Sequence, residues 1–290
     1  MTAFYINLAI GGLVQGLIIA LAALAINLVF AVGRFANAAT GDYVTVGAYA
    51  GIAAQAVGFT STLAQGLAAA LVTAVLVPAV YLLVFRPLAG RPAATFMIAS
   101  VGVGFFLRYT IAFFVGHDQY TFLRPTVRAL QWEGIRMLPI DLWLSGLAVL
   151  AVAAVFCILF LTSAGRRLRA VADNPELART SGIDVGNSMM LLWVLVGFLS
   201  GVGGMIVGIK TVVVPDIGWN ILLPAFAAAI LGGVGNLPGA LIAGLLLGVV
   251  QELSSPIVGF VYKQAIAFGV LVLVLAVRPQ GLFGARKAVR

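Results

Sequence analysis

The sequence predicts an all-α polytopic membrane protein with about eight or nine transmembrane helices, and three features support this fold class. Of the 290 residues, 62% are hydrophobic, and the mean hydropathy is +1.14. Only 9% are charged, which is too little polar material to cover a water-facing exterior. Apolar stretches of about 20 residues recur, the length that crosses a bilayer core. We interpret residues 1–290 as a single transmembrane domain.

The spans follow from these stretches in chain order. Six are long enough to cross the membrane as they stand: 6–32, 62–85, 94–116, 141–162, 189–209 and 257–277. The regions 41–58 and 219–252 are shorter or interrupted by glycine and proline. Counting the first as one span and the second as two gives nine crossings, or eight if one short segment re-enters on the same side. Glycines four residues apart, such as Gly12 with Gly16 and Gly244 with Gly248, predict close helix packing within the bundle, with subunit contact as the alternative.

The basic residues predict the orientation. If the N-terminus lies outside, the inner loops and the C-terminus contain eleven Lys and Arg residues, whereas the outer loops contain five. Because basic loops stay in the cytoplasm, the C-terminus and a loop at 163–188 are predicted to be cytoplasmic. The net charge of +8 therefore indicates topology and contact with anionic lipid. Nucleic-acid binding is not expected, because the arginines are divided among several loops.

The cytoplasmic loop contains an unusual concentration of charge, with seven charged residues between Gly165 and Gly186. Asn174 is a favourable N-cap, Pro175 suits the first helical position and Gly182 offers a C-terminal stop. These signals predict a helix over 175–181. A helix this short is not stable alone in water, so it must rest on a surface. That surface is either the chain's own bundle or a partner protein.

The same loop resembles the membrane subunits of ABC importers. Glu176-Leu177-Ala178, three residues and then Gly182 is similar to their Glu-Ala-Ala, three residues, Gly pattern. The wider segment GRRLRAVADNPELARTSGID resembles more specifically the branched-chain amino-acid permeases of LivH type. So do AFAAAILGGVGNLPGALIAGLLLGVVQ and NAATGDYVTVGAYAG, and the resemblance extends over essentially the whole chain.

This resemblance implies a set of partners in the bacterial inner membrane. Two cytoplasmic ATPases would bind ATP and Mg, a periplasmic solute-binding protein would deliver the solute, and this chain would bind no cofactor. A second permease subunit would complete the channel; the resemblance favours a related subunit, and a second copy of this chain remains the alternative. The residues implied to couple the chain to an ATPase are Arg169, Asp173, Asn174, Pro175, Glu176, Leu177, Ala178, Arg179 and Gly182.

A translocation path is predicted at the two interrupted regions, 33–52 and 231–241. Irregular backbone at membrane depth is tolerated where it is buried in protein or lines a watery cavity. The polar or turn-forming residues in these regions are Asn37, Thr40, Asp42, Asn236 and Pro238. The alternative is that both regions are tight turns between antiparallel spans.

The sequence lacks the motifs of ATPases, zinc proteases and serine hydrolases. The sequence has no G-x-x-x-x-G-K-[ST] phosphate loop, no H-E-x-x-H and no G-x-S-x-G, so we predict a non-catalytic subunit driven by ATP hydrolysed on another polypeptide. The expected cargo is a branched-chain or related amino acid. An ion-coupled carrier or channel for a small solute is the alternative, although few ionisable residues lie at mid-membrane. Arg108 is one; we expect its side chain to snorkel, with pairing to Asp42 or Glu252 as the alternative.

Overall fold

The computed structural model describes residues 2–124, 129–132, 135–259 and 262–284. These residues form eleven α-helices: α1 (Thr2–Gly33), α2 (Thr40–Ala56), α3 (Thr62–Val80), α4 (Ala93–Val115), α5 (Pro139–Leu161), α6 (Ser163–Asp173), α7 (Pro175–Thr180), α8 (Val185–Lys210), α9 (Ile217–Gly232), α10 (Leu237–Val258) and α11 (Lys263–Val277). A π-helical segment, Tyr81–Phe85, extends α3. Two short antiparallel strands, β1 (Leu130–Trp132) and β2 (Ile135–Met137), lie between α4 and α5.

Most predicted spans agree with the helices. Six helices are long and apolar enough to cross a membrane: α1, α3 with its π-helical extension, α4, α5, α8 and α10. The helices α2, α9 and α11 are shorter, with 17, 16 and 15 residues. The described residues therefore fit the predicted all-α polytopic membrane protein. The C-terminal residues 285–290, predicted to be cytoplasmic, lie outside the described part of the chain.

The predicted final span, 257–277, is wrong at its start. Helix α10 continues to Val258, and α11 begins only at Lys263. The boundary falls at Gly259, whose positive φ of 91° ends α10. The sequence conceals this boundary because apolar residues continue on both sides of the glycine. Pro256 therefore lies in the last turn of α10.

Glycines allow the long helices to pack closely, as predicted. A Cβ added to Gly12 would lie 2.7 Å from the Val249 Cα atom, and one added to Gly16 would lie 2.8 Å from the Leu245 Cα atom. Because lipid supplies no hydrophobic force between helices, such backbone proximity is a main source of their association. The prediction of packing within the bundle is confirmed at these positions, which hold α1 antiparallel to α10.

The helices α1–α3 and α8–α10 repeat one arrangement in opposite directions, which the sequence did not reveal. Helix α8 packs antiparallel to α3 through Gly197 and Gly201, just as α1 packs on α10. In each half, the long helix is followed by an irregular connection and then by a short helix, α2 or α9. The two short helices meet at their first turns, where Gly41 and Gly218 touch backbone to backbone. This meeting point positions the buried polar residues described below.

Candidate functional site

Helix α6 is amphipathic and lies where the sequence predicts a charged loop. Thr162 caps it, because its Oγ1 accepts a hydrogen bond from the Gly165 backbone N–H at 3.1 Å. Leu168 and Val171 are buried against the bundle. The arginines on the opposite face, Arg166, Arg167 and Arg169, are exposed. The Arg169 guanidinium lies 5.0 Å from the centre of the Phe160 ring. Helix α6 therefore lies along the bundle and presents positive charge outward.

The short helix α7 is formed by local signals. The Asn174 Oδ1 atom accepts hydrogen bonds from the backbone N–H groups of Glu176 at 2.9 Å and Leu177 at 3.1 Å. Pro175 occupies the first helical position. At the other end, Gly182 has a φ of 77°. Its N–H donates to the Arg179 carbonyl, and the next N–H donates to the Ala178 carbonyl, which is a Schellman-type ending. The predicted helix is thus present, with Ser181 as its C-cap rather than its last residue.

Helix α7 makes little contact with its own bundle. Ala178 is the one residue of α7 that is buried, with 4% of its surface exposed. Leu177 is 64% exposed, and Asp173, Glu176 and Arg179 are also exposed. An apolar side chain surrounded by exposed charges is the composition of a docking surface. The predicted coupling residues therefore lie together on one projection from the bundle, except that the Ala178 side chain faces inward.

Arg34 links this projection to the end of α1, and no sequence motif indicates this role. Its Nη2 atom donates to the carbonyls of Ala172 at 3.2 Å and Asp173 at 3.1 Å, at the C-terminus of α6. A cation is favoured at this end of a helix. Among the described residues, Arg34 is the one non-glycine residue with a positive φ, at 58°. A non-glycine residue in the left-handed region often marks a functional position, and this conformation can be recognised only from the backbone geometry.

At membrane depth, Arg108 forms a buried ion pair with Asp42. The Nε and Nη2 atoms of Arg108 each lie 2.9 Å from the Asp42 Oδ1 atom. The two side chains are 13% and 3% exposed. A Cβ on Gly104 would overlap the Asp42 carboxylate, so this glycine provides the space for it. The expectation that Arg108 snorkels is therefore wrong, and the alternative of pairing with Asp42 is confirmed. The reason is that α2 begins inside the bundle, within reach of the middle of α4.

The ion pair lies next to the junction of α2 and α9. The Arg108 guanidinium is 5.1 Å from the centre of the Trp219 ring, a cation–π distance. The Thr45 hydroxyl accepts a hydrogen bond from the Gly218 N–H at 3.1 Å, which joins the first turns of the two short helices. The Arg108–Asp42 ion pair thus holds α4 against the junction of α2 and α9, which contains one short helix from each half of the repeat.

The polar residues Asn37, just before α2, and Thr40, at its first position, are fully buried. The Asn37 Oδ1 atom accepts a hydrogen bond from the Ala39 N–H at 3.2 Å. Within the described chain, the Asn37 amide nitrogen and the Thr40 hydroxyl have no hydrogen-bond partner. Both residues have 0% of their surface exposed. They lie beside the junction but do not line an open passage in this conformation.

Asn236 and Pro238 lie elsewhere, in a tight turn between α9 and α10. The Asn236 Oδ1 atom caps α10 by accepting the Gly239 N–H at 2.9 Å. Asn27 closes the turn, because its side chain donates to the Gly233 and Asn236 carbonyls. The translocation path through both interrupted regions stays a prediction. The part of the second half that meets α2 is the first turn of α9, at Gly218.

Replacing the N-cap, Asn174→Ala, should loosen α7 by about 1 kcal/mol, because two backbone N–H groups lose their acceptor. We expect faster amide hydrogen exchange at Glu176 and Leu177 in the isolated chain, with no change in α8. Asn187→Ala serves as the control, since Asn187 bonds to Asp184 at the start of α8. Unchanged exchange in α7 would contradict the capping role.

Comparisons with known proteins show the family of this chain. Residues 8–275 match the family described as branched-chain amino acid transport system / permease component. The chain is 28% identical to the high-affinity branched-chain amino acid transport system permease protein BraD of Pseudomonas aeruginosa, covering 97% of this chain and 96% of BraD. It is 27% identical to the corresponding permease protein LivH of Escherichia coli K12, with the same coverage.

A solved structure supports the fold alone. PsaBC from Streptococcus pneumoniae, solved in complex with a Fab, aligns with a TM-score of 0.52 at 13% identity, over 97% of each chain. The helical arrangement and the family match over residues 8–275 agree in their extent. This chain belongs to the branched-chain amino acid transport system permease family.

Proposed function

We propose that this chain is the membrane subunit of an ABC importer that moves branched-chain or related amino acids across a bacterial inner membrane. The observation that carries the proposal is α7, a capped cytoplasmic helix with an exposed Leu177 and exposed charges. The named substrates of BraD and LivH support the substrate class. ATP and Mg would be bound by two separate ATPase subunits, and a periplasmic binding protein would deliver the solute. A related second permease is the favoured partner, and a second copy is the alternative.

The proposed topology has nine crossings, made by α1–α5 and α8–α11. The N-terminus lies outside, and α6 and α7 lie in the cytoplasm. The antiparallel packing of α1 on α10 and of α8 on α3 supports this order. So do Arg166, Arg167 and Arg169, which follow α5 directly and are exposed. A cysteine-accessibility scan of the loops at Gln119 and Ser181 tests it. Labelling of both from the same side would contradict the proposed topology.

The contacts suggest how an ATPase movement would reach the membrane. Force applied at α7 passes to the C-terminus of α6, where Arg34 is bonded to the Ala172 and Asp173 carbonyls. Arg34 directly follows α1, and residues 34–39 lead into α2. The junction of α2 with α9 would then move against α4. An exposed, weakly supported helix is suited to this role, because the ATPase cleft would supply the contacts it lacks.

Replacing Leu177 with aspartate should abolish recovery of the ATPase with this chain and reduce ATP-dependent leucine uptake at least tenfold. The change removes the exposed apolar side chain from the docking surface but leaves the fold unaffected, because Leu177 is 64% exposed. Affinity purification from native membranes, followed by immunoblotting for the ATPase, measures it. Leu123→Asp is the matched control, since Leu123 is 81% exposed on the opposite side.

The affinity-purified chain also distinguishes an ATP-driven importer from an ion-coupled carrier. If the purified chain, free of ATPase, accumulates leucine in liposomes under an ion gradient alone, then the ion-coupled alternative is correct and our proposal fails. If Leu177→Asp still recovers the ATPase at the wild-type level, the assignment of α7 to the coupling surface fails.

A further inference from the structure

The connection that follows α4 lies at the start of α5, whereas α6 and α7 follow the end of α5. Residues 116–124 of this connection form a strap across that end of the bundle. Tyr120 of the strap makes an antiparallel bridge with Val213, which lies between α8 and α9. The Tyr120 N–H donates to the Val213 carbonyl at 3.1 Å, and the Val213 N–H donates to the Tyr120 carbonyl at 2.8 Å. The strap therefore ties α4 to the segment that leads into α9.

Polar side chains attach the strap to the neighbouring ends of α2 and α3. The Arg124 guanidinium donates to the Thr62 Oγ1 atom at 2.7 Å and to the Gln65 Oε1 atom. The Leu123 N–H donates to the Gln55 Oε1 atom at 2.9 Å, while the Leu123 side chain points away and is 81% exposed. Because water can replace each of these hydrogen bonds at this end of the bundle, the strap can detach without a large net cost.

The strap inserts one aromatic ring, that of Phe122, between α2 and α8. Phe122 is 8% exposed. A Cβ added to Gly51 of α2 would lie 3.0 Å from the Phe122 Cζ atom, and one added to Gly208 of α8 would lie 2.8 Å from its Cε2 atom. The same position on Gly51 is 3.1 Å from the Cγ atom of Met205, which is fully buried. The two glycines thus make room for the ring, and Met205 lies beside it.

A buried hydroxyl without a partner lies farther along this seam between α2 and α8. Gly204 of α8 touches the backbone of α2 at Val44, and Ser200 lies one turn earlier on the same face of α8. Ser200 is fully buried, and no group in the described part of the chain bonds to its hydroxyl. Such a group is unfavourable in a closed seam and would gain a partner from water in an open one. This supports a seam that separates and closes again.

We propose that the strap is a gate, and that Phe122 must leave the seam between α2 and α8 in every transport cycle. While the ring is inserted, it joins the two helices at this end, and the bridge to Val213 holds the segment before α9. Its withdrawal would free α2 and α9, whose first turns meet at Gly41 and Gly218, to move together. The proposal rests on the proposed function, because it assigns a step of that transport cycle. Phe122 acts on the helices and is a positioning residue.

A reversible disulfide across the bridge tests the release. Residues that face each other in an antiparallel hydrogen-bonded pair have Cα atoms about 5.5 Å apart, a distance that a disulfide can span. Tyr120→Cys and Val213→Cys are combined in a Cys157→Ser background, because Cys157 is the one cysteine of the chain. In the complete transporter, oxidation should lower ATP-driven leucine uptake about tenfold or more relative to the reduced form, and dithiothreitol should restore it.

The single variants Tyr120→Cys and Val213→Cys are the matched controls, and oxidation should leave their uptake unchanged. The cross-linked fraction is measured by the gel shift with a polyethylene-glycol maleimide, and uptake is compared at equal amounts of folded chain. A strap that only stabilises the fold would support the same uptake when oxidised as when reduced. That result would overturn the gate.

A cysteine beside the ring reports the release directly, in the same Cys157→Ser background. Because Met205 is fully buried, Met205→Cys should react with a membrane-impermeant methanethiosulfonate about tenfold or more slowly than Leu123→Cys, on the exposed side of the strap. In the chain embedded in lipid nanodiscs without ATPase, Phe122→Ala should remove this protection. Phe106→Ala is the matched control, since Phe106 of α4 is 72% exposed, and it should leave the protection intact.

Turnover of the complete transporter separates a gate from a fixed wedge. With Phe122 intact, addition of ATP and leucine should raise the reaction rate at Met205→Cys about tenfold or more. A rate during turnover equal to the resting rate would contradict the release of the ring. Should Phe122→Ala fail to fold, the disulfide and the turnover experiment decide.

The outcomes also distinguish the gate from the proposed function. If ATP drives no uptake by the complete transporter, the importer assignment fails, and protection of Met205→Cys in the isolated chain still reports whether the ring is inserted. If ATP-driven uptake is normal and the cross-linked strap supports it fully, the gate fails and the importer assignment stands.

Discussion

Replacing Asp42 with asparagine should destabilise the chain by about 3–5 kcal/mol and abolish uptake, because it leaves the Arg108 guanidinium buried without a counter-ion. The Asp42 side chain is 3% exposed, so water cannot compensate for the lost charge. Fluorescence-detected size-exclusion chromatography after heating gives the apparent melting temperature, and uptake into vesicles gives the functional loss.

The double variant Asp42→Asn with Arg108→Gln is the decisive comparison. It removes both charges, so it should recover much of the stability that either single variant loses. Asp141→Asn is the matched stability control, because its pair with Lys210 is more exposed and contributes about 0–1 kcal/mol. If Asp42→Asn melts like Asp141→Asn, the buried pair does not support the bundle.

Recovery of stability without recovery of uptake would separate structure from function. In that case the neutral pair would hold α4 in place, while transport would still require the charge itself. Such a charge requirement is common for ionisable residues inside membranes. Recovery of both stability and uptake would mean that the Asp42–Arg108 pair only stabilises the packing of α4 on α2.

Gly218→Val should abolish uptake while leaving ATPase recovery intact. A Cβ on Gly218 would overlap the Gly41 carbonyl, so the first turns of α2 and α9 would have to separate. Overpacking of a tight contact costs about 1–3 kcal/mol, and it would also break the bond from the Gly218 N–H to Thr45. The proposed coupling surface is on α7, which takes no part in this contact, so its partner should still bind.

Gly102→Val is the matched control, since a Cβ at Gly102 meets no atom within 4 Å. It makes the same chemical change in a helix of the same membrane domain. Steady-state leucine uptake in vesicles, normalised to the amount of folded chain, distinguishes the two variants. Wild-type uptake by Gly218→Val would mean that the junction is not part of the transport machinery.

Helix α7 could be predicted because its signals are local. Asn174, Pro175 and Gly182 act on backbone groups within four residues of themselves, so their positions in sequence define α7 almost completely. Arg34 could not be predicted in the same way. Its hydrogen-bond partners are 138 and 139 residues away in the sequence, and no sequence pattern indicates its left-handed backbone conformation.

The sequence by itself determined that this chain is a membrane protein, and it determined the positions of most of its spans. It also determined the position of α7 and the family that the motifs resemble. Only the tertiary structure decided that Arg108 meets Asp42 and that the partner of α2 is the first turn of α9. The physical reason is that lipid and protein interior are both apolar. Hydropathy therefore marks a span but does not distinguish its buried face from its lipid-facing one, and that distinction depends on contacts between distant segments.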